Sequence, residues 1–327
     1  MIQFELDTPL TELAKKIGPQ KAARAYKRSF RAVTDLSDLI KAHDIGASWK
    51  DRKALYLAGS ETGSRGLEIE AAARQAIGLP SRYLTKSDLH CEFGFDRTGA
   101  ILSDGSAELD PVKTAASCLR AAQRLGATII SPWNVTKVSP SKGYLTVTAD
   151  DGQILTANKV LFCTGYEVVG DIPRDEFDII SSWAIATQPL SASEFWPGRC
   201  LIWEVSDPYL YLRSTADNRI LAGGEDSKLT SPERREAAIP AKSEALLRKL
   251  QKLLNNSSLK VDYAWAGAFA DSPTGLPIIK ELPDLPGAMA ILGCGGNGIT
   301  FSTIAAQIAR QWARGGKDPD LDLFSGK

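Results

Sequence analysis

The sequence predicts an α/β (α+β) chain in which two blocks of mixed helix and strand flank a β-rich block, and three stretches carry that prediction. Near the end, the apolar run Ala288-Met-Ala-Ile-Leu292 meets Gly293-Cys-Gly-Gly-Asn-Gly298. A segment follows in which Ile304, Ile308 and Trp312 recur every fourth residue; this reads as a strand, a tight turn and a helix. In the middle of the chain, Asp110-Pro111 opens a helix, with the aspartate as cap and proline at the first helical position, where its missing N–H costs nothing. Between these two, residues 179–223 read as strands with turns at Asp207-Pro208 and Asp217-Asn218. The chain is therefore expected to leave one domain, build a second and return.

Composition narrows the function. With 39 Lys+Arg against 39 Asp+Glu the formal net charge is zero, so no general attraction to nucleic acid or anionic lipid is implied. Cys91, Cys118, Cys163, Cys200 and Cys294 are odd in number, widely spaced and without a C-x-x-C pair, which argues for reduced thiols rather than a disulfide framework or a zinc site. His43 and His90 alone leave little material for a histidine metal centre or a Ser-His-Asp arrangement. No apolar run approaches the about 20 residues that span a bilayer, and Met1-Ile-Gln-Phe-Glu-Leu-Asp7 lacks the features of a signal peptide. A soluble, cytoplasmic protein with no integral membrane segment is expected.

In chain order, residues 8–17 read as a short helix, which Gly18-Pro19 interrupts before a longer one with Ala22, Tyr26, Phe30, Val33 and Ile40 on one face. Residues 55–58 are strand-like, and residues 67–77 resume helical spacing until Gly78-Leu-Pro80. Alternation over 89–102 predicts a hairpin around Arg97-Thr-Gly99. After the helix that Asp110 caps, strands are predicted at 128–130 and 135–138, a hairpin over 144–156, and a strand at 159–163 that ends in a sharp turn at Thr164-Gly165. The β-rich block carries strands at 179–188, 200–205, 209–214 and 219–223. Trp183, Trp196, Trp203, Tyr209, Tyr211 and Trp265 concentrate aromatic surface in it, most of it core and a part free to face a ligand. Ser231-Pro232 starts a helical region with a leucine stripe at 246, 247, 250, 253 and 254, residues 260–269 form a strand, and Asp271-Ser-Pro-Thr-Gly-Leu-Pro277 links to the final strand, turn and helix.

Gly293, Gly295 and Gly298 spell G-x-G-x-x-G, but the dinucleotide fingerprint needs a second strand ending in an acidic residue about 20 positions on. Here Asp318, Asp320 and Asp322 lie in a polar tail. Two readings stand: a turn whose unpaired N–H groups hold an electron-rich ligand atom, or a turn for close helix–strand packing. Tyr209, Tyr211 and Arg213 alternate along one strand and so share a face. They are either a two-pronged clamp for a carboxylate or a salt-bridged arginine between packing tyrosines.

Several segments, in this order and spacing, resemble the FAD-dependent D-amino acid oxidase-like family (glycine and sarcosine oxidase type). They are Leu109-Asp-Pro111, Gly126-Ala127, Val135, Lys159-Val-Leu-Phe-Cys-Thr-Gly165, Arg219-Ile-Leu-Ala-Gly-Gly224, Trp265-Ala-Gly267, Asp271 to Pro277 and Gly293 to Thr300, with Gln3-Phe-Glu-Leu-Asp7 resembling the stretch after the family's first flavin loop. The resemblance implies an FAD-binding domain from residues 1–50, 107–175 and 271–327, and an inserted antiparallel β-rich substrate or cap domain from 51–106 and 176–270. It implies FAD as cofactor, with Val135 offering its backbone to the adenine and Thr164 and Gly165 passing close to the cofactor. It places Gly293, Gly295, Gly296, Asn297, Gly298, Ile299 and Thr300 at the flavin's pyrimidine edge, where a helix N-terminus stabilises the charge of the reduced ring. It makes Tyr209, Tyr211, Arg213 and Trp265 substrate contacts, with a small amine or amino acid as substrate and hydride passing directly to the flavin. No general base is then required, and no catalytic side chain is singled out.

One departure stands against this. The family begins with a strand, G-x-G-x-x-G, a helix and an acid-ending strand, and Met1 lies where that unit has already finished; Gly59-Ser-Glu-Thr-Gly63 and Gly63-Ser-Arg-Gly66 lack the context to replace it. The expectation is a truncated, FAD-poor chain with an exposed sheet edge. Three readings account for it: a fragment of an oxidase, a cofactor-free scaffold, or one half of a split oxidase that needs a partner chain or homo-oligomer.

Overall fold

The computed structural model describes residues 1–166, 177–204 and 206–326. The expected domain boundary at 175–176 and the expected strand end at Val205 lie outside the described residues. In chain order the elements are α1 (Leu10–Ile17), α2 (Pro19–Ala42), β1 (Lys50–Leu57), α3 (Ser64–Ala76), β2 (Ser81–Thr85), α4 (Lys86–Phe93), β3 (Gly99–Glu108) and α5 (Pro111–Arg124). Strands β4 (Val135–Pro140), β5 (Leu145–Ala149), β6 (Ile154–Ala157), β7 (Val160–Phe162), β8 (Asp178–Thr187), β9 (Leu201–Glu204), β10 (Leu210–Ser214) and β11 (Ile220–Ser227) follow. The chain closes with α6 (Pro232–Ala237), α7 (Ile239–Leu254), β12 (Val261–Asp271), β13 (Ile278–Glu281), β14 (Ala288–Leu292) and α8 (Gly298–Ala313).

These strands form three sheets. The largest has the order β12-β8-β11-β10-β9-β1-β3-β2 and is antiparallel except where β1 lies beside β9. The others are β13-β14-β7 and β4-β5-β6. One face of the large sheet, with Leu55, Trp183, Ile185, Leu212 and Ala222, is sealed by the predicted leucine stripe of α7, where Leu246 and Leu250 are fully buried. On the other face Tyr56, Ile101 and Trp203 pack under Leu67 and Ala71 of α3. A further core gathers Ile2, Phe4, Tyr26, Phe301, Ile304 and Ile308, so the first residues, α2 and α8 are packed as one unit. No helix among the described residues is long and apolar enough to cross a membrane.

Local chemistry sets the boundaries. Asp110 accepts from the Lys113 N–H and Pro111 starts α5, as the capping argument requires. The hairpin predicted over 89–102 is not formed. Thr85 and Asp88 make a reciprocal capping box that starts α4, Gly94 ends it with φ 72°, and β3 pairs with β1 and β2 instead. Residues 128–130 are not a strand: they have no ladder partner among the described residues, and Ile129 and Ile130 are exposed. The polar tail is also tied down, because Arg24 and Arg28, one turn apart on α2, pair with Asp318, Asp320 and Asp322, and the Asp318 carboxylate is fully buried.

Candidate functional site

Strand β7 runs parallel to β14 with Phe162 opposite Ala290, so both end on the same side and their following turns lie next to each other. Gly165 (φ 65°), Gly293 (φ 62°) and Gly295 (φ 52°) take left-handed backbone conformations that L side chains rarely adopt. Burial pushes the Cys294 thiol up to about 11, with Cys163 adding to the effect. Tyr166 hydrogen-bonds the backbone of Ala270 at the end of β12, and Ala270 also lies beside Gly295. The Thr164 turn, the glycine turn and the end of β12 thus enclose one corner.

The first residues of the chain line the same corner. Thr300 Oγ1 donates to the Gln3 carbonyl (3.0 Å) and Asn297 Nδ2 to the Glu5 carbonyl (2.7 Å), which anchors α8 to this segment. The Gly296 N–H donates to Asp7 Oδ2 at 2.9 Å, and Asn297 Nδ2 approaches Asp7 Oδ1 at 3.3 Å. A Cβ on Gly295 would stand 2.8 Å from Asp7 Oδ2, so glycine is what lets the carboxylate reach the turn. The recess is open: Asp7 is ringed by protein yet exposed to solvent. Its carboxyl is pushed up to about 6 by that enclosure, with Asp271 and Asp226 adding and the Gly296 N–H opposing.

The floor of the recess comes from the large sheet. Register places Trp265, Ala184, Gly223, Tyr211, Trp203 and Tyr56 in one row across six strands, all on one face. The row has a step in it, because Ala184 and Gly223 are small. A Cβ on Gly223 would lie 2.3 Å from the Tyr211 hydroxyl, so the Tyr211 ring lies over the space a side chain there would fill. Next to it Gly224 has φ 132°, and its Cβ would meet the Tyr209 carbonyl at 2.0 Å. A bulge follows, in which β11 gains one residue relative to β8. It turns Glu225 to Lys249 (2.6 Å) and Lys242 of α7, and brings Asp226 to Ser182 on the recess side. Burial raises the Asp226 carboxyl. Burial also pushes the Tyr211 phenol up to about 12, with Asp226 adding and Arg213 opposing.

The predicted site residues fall into two groups, with Val135 apart from both. Thr164, Gly165, Gly293, Gly295, Gly296, Asn297, Gly298, Ile299 and Thr300 lie in the two adjoining turns and the first turn of α8. Tyr211 and Arg213 lie on β10, Tyr209 just before it with its ring 6.2 Å from that of Tyr211, and Trp265 is exposed on β12 of the same face. Val135 opens β4 in a different sheet. Arg213 is half-buried; Nη1 donates to the Ser214 carbonyl (3.0 Å), and among the described residues it has no ion-pair partner. Asp7 and Asp226 are the residues that sequence reasoning missed: Asp226 owes its position to a bulge with no periodic signature, and Asp7 faces Gly296 across 289 positions of chain. A solvent-open groove of about 810 Å³ lies elsewhere, between α2 and the β1–β3 pair, and shares no lining residue with this recess.

The model of the family described as FAD dependent oxidoreductase (DAO) matches residues 8–312. No curated protein matches the chain. Among solved structures, L-proline dehydrogenase from P. horikoshii superposes with a TM-score of 0.77 at 15% identity, over 98% of this chain and 84% of that one. Glycine oxidase from Geobacillus kaustophilus gives 0.73 at 18% identity, over 99% and 84%. Iminodiacetate oxidase from Chelativorans sp. BNC1 gives 0.74 at 18%, over 92% and 83%. At such identities the structures speak for the fold, and the family model speaks for descent. By the match over residues 8–312, the chain belongs to the FAD dependent oxidoreductase (DAO) family, whose cofactor is FAD.

Proposed function

We propose that this chain contributes the flavin-ring and substrate site of an oxidoreductase that oxidises a small amine or amino acid. The residues present fit the ring end of FAD. Gly165 leaves its backbone open to a flat ligand, with nothing within 4 Å of the place a Cβ would take, and the first turn of α8 carries N–H groups besides the Gly296 N–H that Asp7 already engages. Val135, at the start of β4, is assigned to the adenine end. When bound, FAD supplies the two-electron acceptor that takes hydride from the substrate Cα–H, leaving an imine for water to hydrolyse.

The chain's own residues do the binding and orienting. Arg213 takes the substrate carboxylate, and Tyr209 and Tyr211 flank it. Trp265, across the step made by Ala184 and Gly223, closes the apolar side. Asp7 and Asp226, whose carboxyls the surroundings push toward the protonated form, offer the recess hydrogen-bonding groups for a substrate amine. The observation that carries the reading is Arg213: a half-buried guanidinium with no carboxylate partner among the described residues, on the same sheet face as the aromatic row. The test is Arg213→Ala in flavin-loaded protein. Apparent affinity for amino acids should fall about tenfold or more, as expected on loss of a charge-assisted pair, while affinity for the matching decarboxylated amines stays unchanged. Equal affinities for amino acids in both proteins would remove the clamp.

A second reading, one half of a split oxidase that needs a further unit, is favoured by the edge of β7. Among the described residues it pairs only with β14, and Leu161, Ile129, Ile130, Leu125 and Val112 are exposed. Such a surface is suited to take another strand and helix, from the same polypeptide or a partner. Sedimentation of the purified chain tests it: a monodisperse monomer that binds FAD stoichiometrically would rule the requirement out.

A further inference from the structure

At the other end of α8, roughly 18 Å along the helix from Gly298, a groove of about 410 Å³ opens between α8 and α2. Arg28, Arg31, Arg310, Arg314 and two glutamines line it, and Asp35 is the sole acid among its lining residues. In a chain of zero net charge this is a local excess of cations. Arg28 is already neutralised by Asp318 and Asp320. Arg31 has only Asp35, at 3.7 Å. Arg310 and Arg314, one turn apart, have no ion-pair partner among the described residues. Gln307 is held in place, accepting from Arg28 and donating to Asp35.

Like charges one turn apart on a helix repel. The dipole at the C-terminus of α8 favours a basic residue in its last turn, which accounts for cations on α8 but not for Arg31 facing them from the middle of α2. Arg31 from one helix and Arg310 and Arg314 from the other line the same groove together with Gln311, a set of donors from which a tetrahedral oxyanion can accept on several sides.

We propose that the groove between α2 and α8 is a binding site for a phosphate group, carried either by free inorganic phosphate or by a nucleotide. The test is a thermal-shift and calorimetric titration of the full chain with inorganic phosphate, pyrophosphate, AMP and adenosine, with chloride holding ionic strength constant. Phosphate-bearing ligands should raise the melting temperature saturably and adenosine should not; a preference for AMP over phosphate would identify a nucleotide as the source. Arg310→Gln combined with Arg314→Gln should weaken binding at least about tenfold, and so should Arg31→Gln on the facing helix. Glutamine is a good helix former, so the ligand-free melting temperatures of these variants should match the parent. Arg65→Gln, exposed on α3, should bind as the parent does. Absence of saturable binding, or equal binding by the double variant, would overturn the proposal.

Discussion

Gly223→Ala tests the architecture of the recess, because its sign depends on a single contact. In an ordinary strand alanine stabilises relative to glycine by about 0.4–1 kcal/mol, since the unfolded chain loses freedom. Here the new methyl would stand 2.3 Å from the Tyr211 hydroxyl and 2.4 Å from Cζ, so the ring must leave. Displacing it costs about 0.5–1.5 kcal/mol in rotamer strain and about as much again in the lost ring contact with Tyr209. The expected net result is a destabilisation of about 1–2 kcal/mol, or about 1.5–3 °C in melting temperature at about 2.1 cal/mol/K of unfolding entropy per residue. In a Tyr211→Ala background the obstacle is gone, and the same substitution should become neutral or stabilising. A double-mutant cycle read by urea denaturation measures this coupling. Additive effects would show that Tyr211 does not lie over Gly223.

Two further outcomes follow from buried and enclosed charge. Asp7 titrates near 6 when folded against 3.8 in an ordinary chain, so the native state holds the proton more tightly. Its contribution to stability is greatest below pH 3.8 and is lost as pH rises to about 6. Because solvent reaches Asp7, we expect about 1 kcal/mol rather than the full shift. Asp7→Asn should cancel that decline, and a stability difference from the parent that is flat from pH 4 to 7 would contradict it. Arg74 is almost fully buried between the Tyr26 and Tyr56 rings, pairing Glu70 at 2.7 Å and facing Glu5 at 3.6 Å. Arg74→Met leaves Glu5 and Glu70 buried without a cation, Glu70 keeping only its Leu10 and Thr11 donors, and should cost about 3–5 kcal/mol in denaturant unfolding; a loss below about 1 kcal/mol would mean that the remaining donors suffice.

Local chemistry was legible in the sequence wherever it acts over a few residues. Asp110-Pro111 starts α5, the leucine stripe of α7 seals the sheet, and the glycine run before α8 is a strand–turn–helix junction. What the sequence concealed depends on distant partners. The capping box at Thr85 and Asp88 outweighs an alternation that reads as a hairpin, and residues 128–130 have strand composition without a neighbour to pair with. The aspartates of the tail look solvated until Arg24 and Arg28 are placed beside them. In the site, the residue types on β10 could be read directly, whereas the bulge that aims Asp226 and the fold that brings Asp7 to Gly296 could not.

The most direct test of the account is a titration of the chain with FAD and with riboflavin, which carries the ring without the pyrophosphate, followed by quenching of flavin fluorescence. If the glycine turn of α8 and the Thr164 turn hold the ring, both should quench saturably, and Gly296→Val, which fills the turn next to Asp7, should abolish the quenching of both. Unchanged flavin binding in that variant, or no saturable quenching by either ligand in the parent, would contradict it.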